Sequence, residues 1–121
     1  MANVKKDRKS KINFNVSLDE QQIPEKIMWN ATDAEFKEEK ECSSIMISVW
    51  DTNKKTTLSI DLWTKSMIVE DMHLHFFQTL ISMSESFQRA TGNKLAVPEM
   101  KKFCNELADK IVPEKKKDQA K

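Results

Sequence analysis

VEDMHLHFFQTLISMSESFQRAT, residues Val69 to Thr91, is the stretch whose reading decides the fold, because no other segment is long and periodic enough to stand as a helix by itself. Taken at about 100° per residue, Val69, Met72, Phe76, Leu80, Met83, Phe87 and Ala90 fall within one narrow sector, the core stripe of an amphipathic helix. A second, shorter stripe of Leu74, Phe77 and Ile81 lies roughly a quarter to a third of a turn round, and Asp71, His75, Gln78, Ser82, Glu85 and Arg89 fill the opposite side. The helix therefore has two surfaces to cover. The first stripe is expected to face a sheet, and the second to face another helix or another chain.

Outward from this stretch, Gly92 suits a left-handed C-terminal cap, and Glu70 with Asp71 suits the dipole at the other end. Pro98, favoured in a first helical turn, precedes a single apolar stripe of Met100, Phe103, Cys104, Leu107, Ala108 and Ile111, which ends near Val112 with Pro113 closing it. This second helix is expected to cover Leu74, Phe77 and Ile81.

Upstream the period changes to two. Ile12, Phe14, Val16 and Leu18 alternate with polar residues, and Pro24 to Ala31 place Ile27, Trp29 and Ala31 on one side. Pairing Phe14 with Trp29 and Val16 with Ile27 keeps both apolar sets together. Ser43 to Trp50 and Thr56 to Trp63 alternate likewise, and pairing Val49 with Leu58, Ile47 with Ile60 and Ile45 with Leu62 puts six aliphatic residues on one face. Between these hairpins Thr32 to Glu41 reads as a solvated loop or one helical turn. The fold class expected is α+β: a four-stranded, meander-like antiparallel sheet, then one long and one shorter helix packed on one face. It occupies residues 11–112 as a single domain, flanked by a basic tail (1–10) and a charged tail (113–121).

Composition excludes several function classes. Charged residues make up 32% of the 121, yet the net charge is +1, so no excess field points to nucleic acid. One glycine is too few for phosphate-cradling loops. No segment approaches the roughly 18 apolar residues of a membrane span, and the N-terminal residues do not read as a standard export signal. Cys42 and Cys104 stand far apart in no metal-like spacing and read as reduced thiols at packed positions.

No spacing along the chain announces a catalytic or metal constellation, although Cys, His and Asp groups meet in space and not in sequence. His73 and His75, two apart on a helix, point about 200° from one another and cannot share a metal; His75 is placed on the wet face. The carboxylates of Glu35 to Glu41 lack the glycine that a calcium loop uses. Asp61 beside Trp63 reads as a solvated strand residue within reach of Lys65 or Lys26. No catalytic residue, cofactor or metal is expected. The feature that stands out is the outer sheet face, expected to carry Met28, Met46, Trp50 and Trp63, an apolar patch of the kind that marks a contact surface. Leu74, Phe77 and Ile81 are a secondary candidate surface.

Several segments are similar in order and spacing to the GldC family, the gliding-motility-associated proteins of Bacteroidetes. They are Leu18-Asp19-Glu20, Ile23 to Trp29, Ala31-Thr32-Asp33, Trp50-Asp51 and above all Asp61-Leu62-Trp63-Thr64-Lys65. Phe76 to Leu80, Phe87 to Gly92 and Phe103-Cys104 continue the series. The resemblance spans roughly Lys11 to Val112 and omits both tails. It implies a small, soluble, non-enzymatic accessory protein of gliding and, by association, of type IX secretion, and with no export signal read, a cytoplasmic location is expected. Its partners would be proteins of that machinery, and a homo-oligomer is left open. The acidic loop departs from the family pattern. The order of four strands followed by a long and a short helix also matches SecB-like export chaperones, which would bind unfolded clients. A small-molecule-binding or enzymatic domain is disfavoured, because no polar groups converge.

Overall fold

The computed structural model describes residues 8–112. They divide into two compact units at Met67/Ile68, the strands in the first and the helices in the second. The expected tails lie, but for residues 8–10, outside the described residues, as does Pro113.

In the first unit β1 (Ile12–Leu18) and β2 (Pro24–Ala31) form an antiparallel pair in which Phe14 lies opposite Trp29 and Val16 opposite Ile27, the register the alternation requires. A bulge between Ser17 and Leu18 ends the ladder. Asp19 builds the turn: its carboxylate accepts the backbone N–H of Gln21 (2.8 Å) and Ile23 (3.0 Å), and Gln22 adopts φ 67°.

The expected single four-stranded sheet is not what forms. Among the described residues there are two sheets, one of three strands and one of two. A three-residue strand, β3 (Lys40–Cys42), pairs with Ile27 to Trp29 of β2, and only Ser43 separates it from β4 (Ser44–Asp51), which pairs with β5 (Thr56–Trp63). One extended run, Lys40 to Asp51, thus begins in one sheet and ends in the other. Lys40 and Glu41 are poor strand formers, so the segment reads as loop, yet Cys42 lies opposite Ile27, which is 0% exposed. The acidic segment before it is tied down by Phe36, which meets Trp29 edge-on at 5.1 Å while Lys40 sits 4.5 Å from the Phe36 ring centre. Phe14 also stacks with Trp29, at 6.4 Å.

The β4–β5 register is the expected one: Ile45 opposite Leu62, Ile47 opposite Ile60, Val49 opposite Leu58. Asp51 organises its turn, accepting the N–H of Asn53 and Lys54, each at 2.9 Å.

In the second unit α1 (Val69–Thr91) has the bounds read from its periodicity, and α2 (Ala96–Ile111) follows after a short turn. Gly92 takes φ 67° and donates its N–H to the Gln88 carbonyl, a left-handed cap. Asn93 then accepts the N–H of Leu95 and Ala96 and starts α2. Phe77, Cys104, Ala108 and Val112 form the buried cluster, with Leu74, Leu80, Ile81 and Ile111 packed against it. The second stripe of α1 is therefore the seat of α2. Ser84, fully buried, continues that face one turn on, its hydroxyl donating to the Ile81 carbonyl. Burial along α1 reverses the expected order, since Phe77 is 4% exposed while Val69, Phe76 and Met83 are exposed.

Candidate functional site

Residues directly opposite in an antiparallel pair share a face. Trp50 opposite Thr57, Ser48 opposite Ser59, Met46 opposite Asp61 and Ser44 opposite Trp63 therefore make up one side of the β4–β5 hairpin. Three of the four expected surface residues, Met46, Trp50 and Trp63, are brought together in this way. The indoles stand at opposite ends, roughly 20 Å apart by strand rise, with Met46 between them. Trp50 is 60% and Trp63 55% exposed, and Met46 is half-buried. The fourth, Met28, belongs to the three-stranded sheet, opposite Asn15 and Glu41. Of the secondary candidates, Leu74, Phe77 and Ile81 lie under α2.

The open end of the hairpin is anchored by polar contacts that no local pattern announces. Thr64, buried, donates its N–H to the Ser43 carbonyl (2.9 Å), and the Lys65 N–H donates to the Pro24 carbonyl (3.0 Å). The Lys65 ammonium then pairs with Asp19 (3.0 Å) and Glu25 (3.4 Å). The Asp19 carboxyl is held below its ordinary range by the Ile23 N–H first and by Lys65 next; Lys65 is raised in turn, chiefly by Asp19. This clamp fixes the end of β5 to the β1–β2 turn. Beside it Ile23, Pro24, Leu62 and Trp63 line a shallow apolar dish of about 240 Å³, with Asp61 at its rim. Lys65 is thus engaged elsewhere, and Asp61 makes no ion pair among the described residues.

The helical unit carries an apolar groove of about 330 Å³ lined by Leu80, Met83, Met100, Phe103, Cys104 and Glu99. The first stripe of α1 supplies Leu80 and Met83 to it, a signal that was open to reading. His75, expected on the wet face, is half-buried, and its Nε2 is buried without a hydrogen-bond partner. Burial pushes both thiols up, so neither is poised as a thiolate. Among the described residues no group of three or more His, Cys, Asp or Glu could hold a metal ion, and no helix is long and apolar enough to cross a membrane.

A family model for gliding motility-associated proteins, described as GldC-like, matches residues 24–113. The chain belongs to the GldC-like family. The match takes in β2 to α2, with Glu25, Met46, Trp50, Trp63 and Lys65, and begins after β1 and Asp19. No curated protein and no solved structure matches the chain. The GldC-like segment thus contains the whole β4–β5 hairpin with both exposed indoles, whereas the Asp19 arm of the clamp lies before it.

Proposed function

We propose that this GldC-like protein is a non-enzymatic, cytoplasmic accessory of the gliding apparatus, and of the type IX secretion machinery that goes with it, working through protein–protein contacts on the Met46, Trp50 and Trp63 face. The observation that carries the reading is the exposure of two tryptophans on one side of a single hairpin. Exposed indoles at both ends of one face favour a contact surface that runs the length of the hairpin, and tryptophan is among the most frequent anchors of an interface. Met46 between them adapts to the partner's shape. The test is Trp50→Ala with Trp63→Ala in a gliding cell. Retention of gliding-machinery components by in-cell crosslinking should fall by about tenfold or more, with colony spreading lost and the helical circular dichroism unchanged. Spreading and crosslinking at the parental level would refute it.

A second reading, a SecB-like holdase, is favoured by one observation, the apolar groove between α1 and α2 with Met83 and Phe103 exposed at its rim. It is separated by assaying suppression of aggregation of an unrelated unfolded protein, which a dedicated accessory should leave unaffected.

A further inference from the structure

The two sheets treat their edges differently. In the three-stranded sheet the edge strands are β1 and β3; β1 ends in a bulge at Ser17/Leu18 and β3 carries Lys40 and Glu41, and both devices discourage further pairing. From Ser44 to Trp50 the β4 edge of the second hairpin has neither. Its register runs through eight pairs without a bulge, neither strand contains proline or glycine, and among the described residues no third strand lies alongside. A lone two-stranded hairpin is marginal in water. This one also leaves Val49, Trp50, Leu58, Ile60 and Trp63 exposed.

The free edge of β4 can be specified residue by residue. The Thr64 N–H bonds to the Ser43 carbonyl, so Ser43 and Thr64 are a hydrogen-bonded pair in the β4–β5 register. Counting by two, Ile45, Ile47 and Val49 bond to β5, while Ser44, Met46, Ser48 and Trp50 turn their N–H and C=O outward. From Ser44 to Trp50 there is no charged side chain, and the segment is symmetric in length about Ile47. The free edge of β5, by contrast, carries Asp61.

We propose that the outer edge of β4 pairs antiparallel with β4 of a second copy of this chain about a two-fold axis at Ile47, giving a four-stranded sheet in the order β5–β4–β4–β5. In that register Ile47 lies opposite its own copy, Ile45 opposite Val49, Met46 opposite Ser48 and Ser44 opposite Trp50. Every aliphatic residue meets an aliphatic one and no two charges face each other. Shifting the axis to Ser48 would set Ile45 against Asp51. The interface is isologous, as a two-fold contact must be. It also joins the two Met46 and Trp50 surfaces side by side without depending on what, if anything, docks there.

Two substitutions test it on the full chain. Ile47 would sit in a non-hydrogen-bonded pair, where Cα atoms are about 4.5 Å apart and a disulfide is geometrically allowed. Ile47→Cys should therefore oxidise largely to a covalent dimer, with Ile60→Cys, the equivalent substitution on β5, remaining at the level of the unsubstituted chain. Ser48→Pro removes an N–H that points away from β5 and so should spare the hairpin. It should weaken the dimer seen by light scattering by roughly tenfold or more, since two symmetry-related hydrogen bonds go. A monomer at all concentrations, covalent dimer from the Ile60→Cys chain in place of the Ile47→Cys chain, or a folded Ser48→Pro chain that dimerises normally would each overturn the proposal.

Discussion

In the first hairpin the Trp29 indole is in contact with both Phe14 and Phe36 and the neighbouring Ile27 is wholly enclosed, whereas in the second Trp50 and Trp63 stand open and Ile60 is 52% exposed. Both hairpins have the same alternation and a self-consistent register. What separates them is a third element: Phe36 and β3 fold back on β2, and among the described residues of the strand unit no further strand joins β4 and β5. A pleated surface becomes core only when something is laid on it. The contrast places packed core in the first hairpin and open apolar surface in the second.

The largest effect expected follows from that division. Ile27→Ala should cost about 2–5 kcal/mol in chemical denaturation, the range for emptying a fully packed aliphatic site, while Ile60→Ala, half in water already, should cost less than about 1 kcal/mol. Equal losses at the two positions would break the comparison, since they would mean that the second hairpin is as firmly covered as the first.

A smaller effect sharpens the role of the acidic segment. Phe36→Ala removes the edge contact to Trp29 and the seat of the Lys40 ammonium. Together these contribute about 1–2 kcal/mol, and the loss should be accompanied by a red shift of Trp29 fluorescence as its ring meets water. Trp50→Ala should leave stability within about 0.5 kcal/mol. A Phe36→Ala chain as stable as its parent would return residues 32–39 to the status of a solvated loop.

What could be read in the chain beforehand was what depends on period. The 23 residues of α1, the Phe14/Trp29 register and the Val49/Leu58 register all follow from spacing that recurs along the chain. Alternation tells which residues share a face, but not which strands lie side by side, so the division into two sheets was invisible. β3 escaped because a lysine and a glutamate hide a strand held by Cys42 opposite Ile27. The same limit applied to the candidate surface. Met46, Trp50 and Trp63 share one hairpin and follow from parity, whereas Met28 has the same parity on a different sheet. The Asp19–Lys65 pair, 46 residues apart, has no sequence signal.

That pair links the two hairpins, and it gives the smallest and most selective prediction. Asp19 has a folded pKa below its unfolded value near 3.9. Its contribution is therefore complete above that value and is lost as pH falls through the depressed folded one. Lys65 is raised above its usual value near 10.4, so its share is complete below that value and is lost as pH rises through the folded one. Asp19→Asn should flatten the acid limb of a thermal-melting profile while leaving the neutral region nearly level, because the pair is solvent-screened. Its second signature should be local: faster amide exchange at Lys65 and Ile23, which the clamp and the turn hold, with exchange at Ile27 unchanged. If exchange rose at Ile27 as well, the clamp would be part of the first hairpin's core instead of the tether that sets the second hairpin's orientation.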